Sequence, residues 1–378
     1  MKSPNFNEYI DLARQLAANV ADRADEIEES RRIPADLAGE MADAGMFRLL
    51  VPKSLGGEEI DYPSFVEITR LFAQADGSTA WCISQNNIFA TDAARMLPGT
   101  ALEIWGVPRG IVTNGPPSSD TVAIPTDGGY RLTGHWDFSS GSSHSTWVAA
   151  RSRVEGRKGE MPMFLMPKSE VMMLDRWDVN GLRGTASFSF EADDVFVADS
   201  HVYMESDPSR VPGPVYVLPK IPMFGIGFAT IALTLARQCL DDAVEIARSK
   251  TQRNIISAMV DRTTVHQEIG ESEALIRATD AYVRQSAEAM WKSACGNGEL
   301  DMATRIEVRM AATYGIRTAV EVVDTAYDMF GAGAIFKSTP IQRRWQDIHT
   351  IAQQIQGRKT NYETAGRYFL GLGATGML

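Results

Sequence analysis

The sequence predicts an α+β multidomain fold in three parts: an N-terminal α-helical domain over 1–107, a middle β domain over 108–212 forming a small barrel or sandwich, and a C-terminal four-helix bundle over 213–378. Three observations carry this reading. Apolar residues recur at helical spacing at both ends of the chain. Between them lies a stretch rich in Gly, Pro, Ser and Thr, with short alternating runs. A proline-rich segment, Pro208 to Pro222, separates that stretch from the second helical region and reads as a linker.

The first helical face is set by Ile10, Ala13, Leu16, Val20 and Ala24. Pro34 opens a second helix and Gly45 closes it, the usual order of proline near a start and glycine past an end. A third helix is expected over Pro63–Gln74 and a fourth over Ser78–Met96. From Val107 the period changes. Tyr130-Arg131-Leu132-Thr133, Trp147-Val148-Ala149-Ala150 and Ser187-Phe188-Ser189-Phe190 read as strands, and Asp127-Gly128-Gly129 as a turn between two of them. After Phe224 the helical stripe returns at Leu233, Ala236, Leu240, Val244 and Ala247. It continues at Leu275, Ala278 and Tyr282, then at Ala303, Ile306, Met310 and Tyr314. Long helices joined by short connections predict an antiparallel bundle.

Composition excludes several function classes. The 378 residues are 44% hydrophobic, ample for a large core, and the formal net charge of -11 without a dense basic run argues against nucleic acid or an anionic membrane as partner. Cys82, Cys239 and Cys295 stand far apart, and the five histidines show no ligand spacing, so neither a disulfide framework nor a metal site is expected. A polar N-terminus predicts a cytoplasmic protein with no signal peptide. No GxSxG elbow offers a hydrolase nucleophile.

Pockets favour domain junctions, so polar and Gly-rich segments there are the candidates. Gly134-His135-Trp136-Asp137-Phe138-Ser139-Ser140-Gly141 sets two hydroxyls beside two aromatics, a combination able to hold a flat heteroaromatic ring or to be an ordinary strand and serine turn. Ile111 to Asp120 is a strand running into a polar turn. Phe330-Gly331-Ala332-Gly333-Ala334 breaks a long helix with small residues. It would let a nucleotide approach the backbone, or simply cap the helix.

Several segments, in order, resemble the acyl-CoA dehydrogenase superfamily. They are Met41-Ala42-Asp43-Ala44-Gly45-Met46 with Val51-Pro52 and Gly56-Gly57; Thr113 to Asp120; Gly181-Leu182-Arg183-Gly184-Thr185-Ala186-Ser187 with Asp194-Val195-Phe196-Val197; and Phe330 to Gly333 with Pro340-Ile341-Gln342-Arg343 and Asp347. The resemblance implies FAD or FMN as cofactor and a homotetramer or dimer. Carried over by position, Thr113, Ser119, Trp136, Phe138, Ser139 and Ser140 would surround the flavin. Gly331 and Gly333, with Arg253 and Gln267, would meet its nucleotide end in a neighbouring subunit.

Two departures redirect the chemistry. Where the dehydrogenases carry a glutamate base, this chain has Gln353-Gln354-Ile355-Gln356-Gly357-Arg358, and an amide is no base at neutral pH. Trp136 to Gly141, continued by Ser142-Ser143-His144-Ser145-Thr146-Trp147, resembles instead the flavin-dependent monooxygenases of the same fold. These take reduced flavin from a separate reductase and hydroxylate aromatic or heterocyclic small molecules. On this reading Gln354, Asn87 and Ser140 are the catalytic candidates, and Arg183 and Gln356 the substrate-binding ones. The histidines usual near Gln354 and after Trp81 are absent. The alternatives are an acyl-CoA dehydrogenase with a relocated base, Glu363 being one candidate, and a helical oligomeric scaffold without catalysis.

Overall fold

The computed structural model describes residues 6–249 and 258–376. The N-terminal region is helical: α1 (Phe6–Asp22), α2 (Ala24–Ser30), α3 (Ala35–Asp43), α4 (Tyr62–Ala75), α5 (Gly77–Ala90) and α6 (Pro98–Trp105). The stripe from Ile10 to Ala24 is buried as expected. The helix expected over Ser78–Met96 is shorter: α5 stops at Ala90 and tightens into a 3-10 turn over Thr91–Ala94.

Nine strands follow: β1 (Val112–Gly115), β2 (Val122–Thr126), β3 (Gly129–Ser139), β4 (Trp147–Arg151), β5 (Arg153–Val154), β6 (Met163–Pro167), β7 (Met172–Leu174), β8 (Phe188–Ala198) and β9 (Val202–Tyr203). They form two sheets, ordered β1-β4-β6-β9 and β5-β2-β3-β8-β7. Their inner faces share one core, with Val148, Phe164 and Met166 from the first sheet and Leu132, Trp136 and Phe190 from the second. The barrel-or-sandwich expectation thus resolves as a sandwich. The Asp127-Gly128 turn joins β2 to β3, with Gly128 at φ 73° where a side chain would be strained.

The helical C-terminal part comprises α7 (Lys220–Ser249), α8 (Thr263–Asn297), α9 (Met302–Phe330), α10 (Pro340–Gln353) and α11 (Asn361–Phe369). Helix α9 is central: α8, α10 and α11 all pack on it. Asp301 caps its start by accepting from the Thr304 N–H at 2.8 Å. The expected linker runs shorter than its prolines imply, because α7 begins at Lys220 and admits Pro222 in its first turn. Helix α7 is long and apolar enough to cross a membrane, yet 89% of its most apolar stretch is buried inside the protein.

Packing divides the chain differently from the three sequence segments. One compact unit takes the chain up to Ile68 with Trp81–Val179 and Arg183–Lys220, so the first helices and the sandwich belong together. The other takes Thr69–Ala80, Asn180–Leu182 and the chain from Ile221 on. In this second unit Asp347 of α10 accepts the Leu182 N–H at 2.5 Å, and a Cβ at Gly77 would come within 3.0 Å of the same carboxylate. The short inserts are therefore tied to the bundle by hydrogen bonding and close approach.

Candidate functional site

The site in the sandwich-containing unit begins with a break in β3. Alternation along a strand would send Trp136 and Phe138 to the same face. Trp136 does point inward: it is fully buried, stacked on Phe190 with ring centroids 5.0 Å apart, and its indole N–H donates to the Arg151 carbonyl at 2.9 Å. It is a core residue and has no face left for a flavin, which corrects the expectation for it. Between Trp136 and Ser139 the pairing with β8 shifts register, and Phe138 adopts φ 57°. The bulge turns the Phe138 ring outward, 61% exposed, edge-on to Trp177 at 6.1 Å, and brings Ser139 inside.

The loop after the bulge is held by hydroxyls. Ser140 Oγ accepts from the Trp81 indole N–H at 3.0 Å and lies 2.8 Å from Ser187 Oγ, itself 2.7 Å from Thr185 Oγ1. The Gly141 N–H donates to the Thr185 carbonyl at 2.8 Å. The Thr113 hydroxyl donates to the Ser140 carbonyl at 2.7 Å. Thr113 is fully buried, so its side chain secures the loop and is not free for a ligand, a correction to its expected role. Ser139 differs from these neighbours: it is fully buried and its hydroxyl has no hydrogen-bond partner among the described residues. Burying an unmade hydroxyl is costly, so this atom marks a place where a ligand heteroatom would be gained. Gly115 makes the close approach possible, since a Cβ there would overlap the Asp137 carbonyl oxygen and lie 2.7 Å from Ser139 Oγ.

A histidine that spacing did not single out completes the loop. His144 stacks on Phe47 at 4.8 Å, and its Nε2 lies 3.1 Å from Asn86 Oδ1. Asn86 donates its Nδ2 to the Val112 carbonyl at 3.0 Å, which fixes the amide and makes His144 Nε2 the proton-bearing nitrogen. Burial, with Lys168 nearby, pushes the His144 pKa down to about 3. The ring is therefore neutral at ordinary pH. The sequence signal was its place in the Ser142 to Trp147 run; the Asn86 partnership needed the fold.

Other expected site residues are distributed less favourably. Asn87 is fully buried and spends its amide on the backbone of Leu50, Met46 and Ile83, so it fixes helix packing and is no catalytic candidate. Gln85, two residues earlier on the same helix, reaches Asn114 at 3.0 Å. Ser119 is exposed in the turn after β1. The Arg183 guanidinium is committed to Glu28 and to the Val179 carbonyl, which leaves it a structural tie and not a substrate anchor. Gly331 is exposed and Gly333 half-buried in the turn after α9, with open space where a side chain would stand at both. Gln267 is exposed and bonds Glu271 on its own helix. Arg253 lies outside the described residues.

In the helical unit, Gln354 caps the turn after α10 by accepting the Gln356 N–H at 2.7 Å. Gln356 is buried, takes a hydrogen bond from Arg309 and donates to the Ile221 carbonyl at 3.2 Å. Both ends of its amide are thus engaged inside the bundle, which corrects its expected role as a substrate contact. Glu363 is exposed on α11. Among the described residues no group of three or more His, Cys, Asp or Glu is gathered for a metal ion.

Comparison with known proteins agrees with this architecture. Family models for the acyl-CoA dehydrogenase N-terminal domain and C-terminal domain match residues 3–99 and 226–357, together more than half of the chain. An indole-3-acetate monooxygenase from Pseudomonas putida is 26% identical, with 97% of this chain and 94% of that protein covered. The oxygenase subunit HsaA of a flavin-dependent monooxygenase from Rhodococcus jostii is 26% identical, with 88% and 90% covered. The crystal structure of 3-HSA hydroxylase from Rhodococcus sp. RHA1 superposes with a TM-score of 0.89 at 26% identity, covering 99% and 98% of the two chains. With the sandwich, the bundle and both family segments in place, the chain belongs to the acyl-CoA dehydrogenase superfamily, where its relatives are oxygenase components of flavin-dependent monooxygenases.

Proposed function

We propose that this protein is the oxygenase component of a two-component monooxygenase that hydroxylates an aromatic or heterocyclic small molecule, using O2 and reduced flavin, FAD or FMN, supplied by a separate reductase. The observation that carries the reading is the β3 bulge, which pairs a buried, unpartnered Ser139 hydroxyl with an outward Phe138 ring. Bound reduced flavin would supply the electrons that activate oxygen. Ser139 Oγ would meet a ring heteroatom, the Phe138 ring would pack on a flat ligand, and Gly331 to Gly333 would take the nucleotide end from a neighbouring subunit.

The remaining groups hold the loop and handle protons. Ser140, Ser187 and Thr185 form a chain of hydroxyls, each able to donate or accept, so a proton can be re-oriented along it without a charged group. His144 fixes the Asn86 amide through its Nε2–H and brings no positive charge at neutral pH. The exposed apolar residues Ile335, Phe336, Phe369, Leu370 and Leu372 support a homo-oligomer. The dehydrogenase alternative is disfavoured by Gln356, which supplies an amide already hydrogen-bonded to Arg309 where that chemistry needs a carboxylate.

The test is an anaerobic titration with oxidised and reduced flavin, followed by addition of 18O2 and a panel of phenols, indoles and aryl acids. Tighter binding of reduced flavin and one labelled oxygen in the product are expected. Preferential binding of oxidised flavin, with bleaching by an acyl-CoA and no label in any product, would establish the dehydrogenase instead.

A further inference from the structure

Arginines in most of the helical unit are paired. Arg237 meets Asp241 and Glu273, Arg277 meets Glu273, Arg284 and Arg70 meet Asp280, and Arg344 meets Asp242. At the α9–α11 end this pattern stops. Arg309 is only 7% exposed, yet its guanidinium bonds two neutral amides, Gln356 and Asn361, the latter at 2.8 Å. Buried charge is normally paired, so a buried cation met by amides alone is short of a counter-charge. A glutamate at 356 would have supplied it, and the chain carries glutamine there.

Arg309 also lines an open cavity of about 330 Å3, with Arg358, Arg367, Thr360, Asn361 and Glu363 among its walls. That volume suits a small molecule better than a bare ion. Arg367 donates to the Leu372 carbonyl at 3.2 Å, and none of the three arginines forms an ion pair among the described residues. Among the described residues that line the cavity, Glu363 is the one carboxylate. An arginine has five N–H donors in a planar fork suited to a carboxylate or a phosphate, and the two amide bonds leave Arg309 with donors in hand.

We propose that this cavity binds the oxyanion of a small ligand, a carboxylate or a phosphate, with Arg309 as the buried anchor and Arg358 and Arg367 as flanking donors. Arg309 fixes the anion's position, while the two exposed arginines raise its local concentration and complete its coordination. The proposal stands apart from the flavin reading, since none of these residues is placed at that site.

Isothermal titration of the full chain with inorganic phosphate and, separately, with benzoate tests it, with chloride holding ionic strength constant. Saturable binding of at least one probe is expected, and which one binds identifies the oxyanion. Arg358→Ala and Arg367→Ala, both at exposed positions, are each expected to weaken binding about fivefold to tenfold. Glu363→Gln removes the like charge and is expected to tighten it about twofold to threefold. A general stabilising role for the arginines would not predict that opposite sign. No saturable heat with either probe, or one dissociation constant shared by wild type and all three variants, would overturn the proposal.

Discussion

Around Ser139 and Ser140 the buried side chains are neutral: an indole and three hydroxyls bond one another and a neutral imidazole meets Asn86, with Lys168 reaching in from the loop's edge to donate to the Ser142 carbonyl at 2.8 Å. Around Arg309 in the helical unit a full charge is buried against two amides. The first arrangement keeps a loop in one conformation and leaves a single hydroxyl unmade. The second leaves a whole charge without a counterpart. A neutral network can be completed by a ring heteroatom, whereas an uncompensated cation calls for an anion, so the two regions are suited to different ligand chemistry.

The sharpest way to break the neutral region is Gly115→Ala. Its new Cβ would overlap the Asp137 carbonyl and crowd Ser139 Oγ, so a stability loss of about 3 kcal/mol and loss of flavin binding are expected, read by chemical denaturation and flavin titration. Ser140→Ala comes next. It removes the hydroxyl that the Trp81 indole N–H and Ser187 both bond, which should cost about 1–3 kcal/mol in the same denaturation experiment. A pH series sharpens the role of His144. Its folded pKa of about 3 lies below the unfolded value of about 6.5, so the contribution of the neutral ring is complete above pH 6.5 and is lost as pH falls toward 3. His144→Gln should flatten that part of the stability profile, and an unchanged profile would remove the histidine from the account. Ser139→Ala should not destabilise the fold, because no protein partner is lost, and relief of the unmade hydroxyl should raise stability by up to about 1 kcal/mol. It should nevertheless weaken reduced-flavin binding measurably. Equal losses at Ser139 and Ser140 would erase the distinction between a holding hydroxyl and an offered one.

Much of the architecture was legible because periodicity survives in the sequence. The stripe from Ile10 to Ala24, the Pro34 to Gly45 boundaries and the Asp127-Gly128 turn all report local physics that tertiary packing did not override. The site was legible as a segment, Trp136 to Gly141, but the parts within it were not. A period of two assigns Trp136 and Phe138 to one face, and only the register shift against β8 separates the core tryptophan from the exposed phenylalanine. Asn87 and Arg183 failed as site residues for a related reason. Their side chains are spent on partners many positions away, Met46 and Glu28, that no spacing rule connects to them. His144 and Asn86 likewise meet only in the folded chain.

The left-handed turn at Phe138 has a consequence for how this protein can be improved. A non-glycine residue at φ 57° costs about 1 kcal/mol of backbone energy that glycine would not. Selection for thermal tolerance alone would therefore favour Phe138→Gly, whereas the ligand contact proposed for the ring would set selection for turnover against that change. On that proposal the position exchanges robustness for activity, and a library screened only for heat resistance should enrich glycine at that codon together with weakened flavin binding.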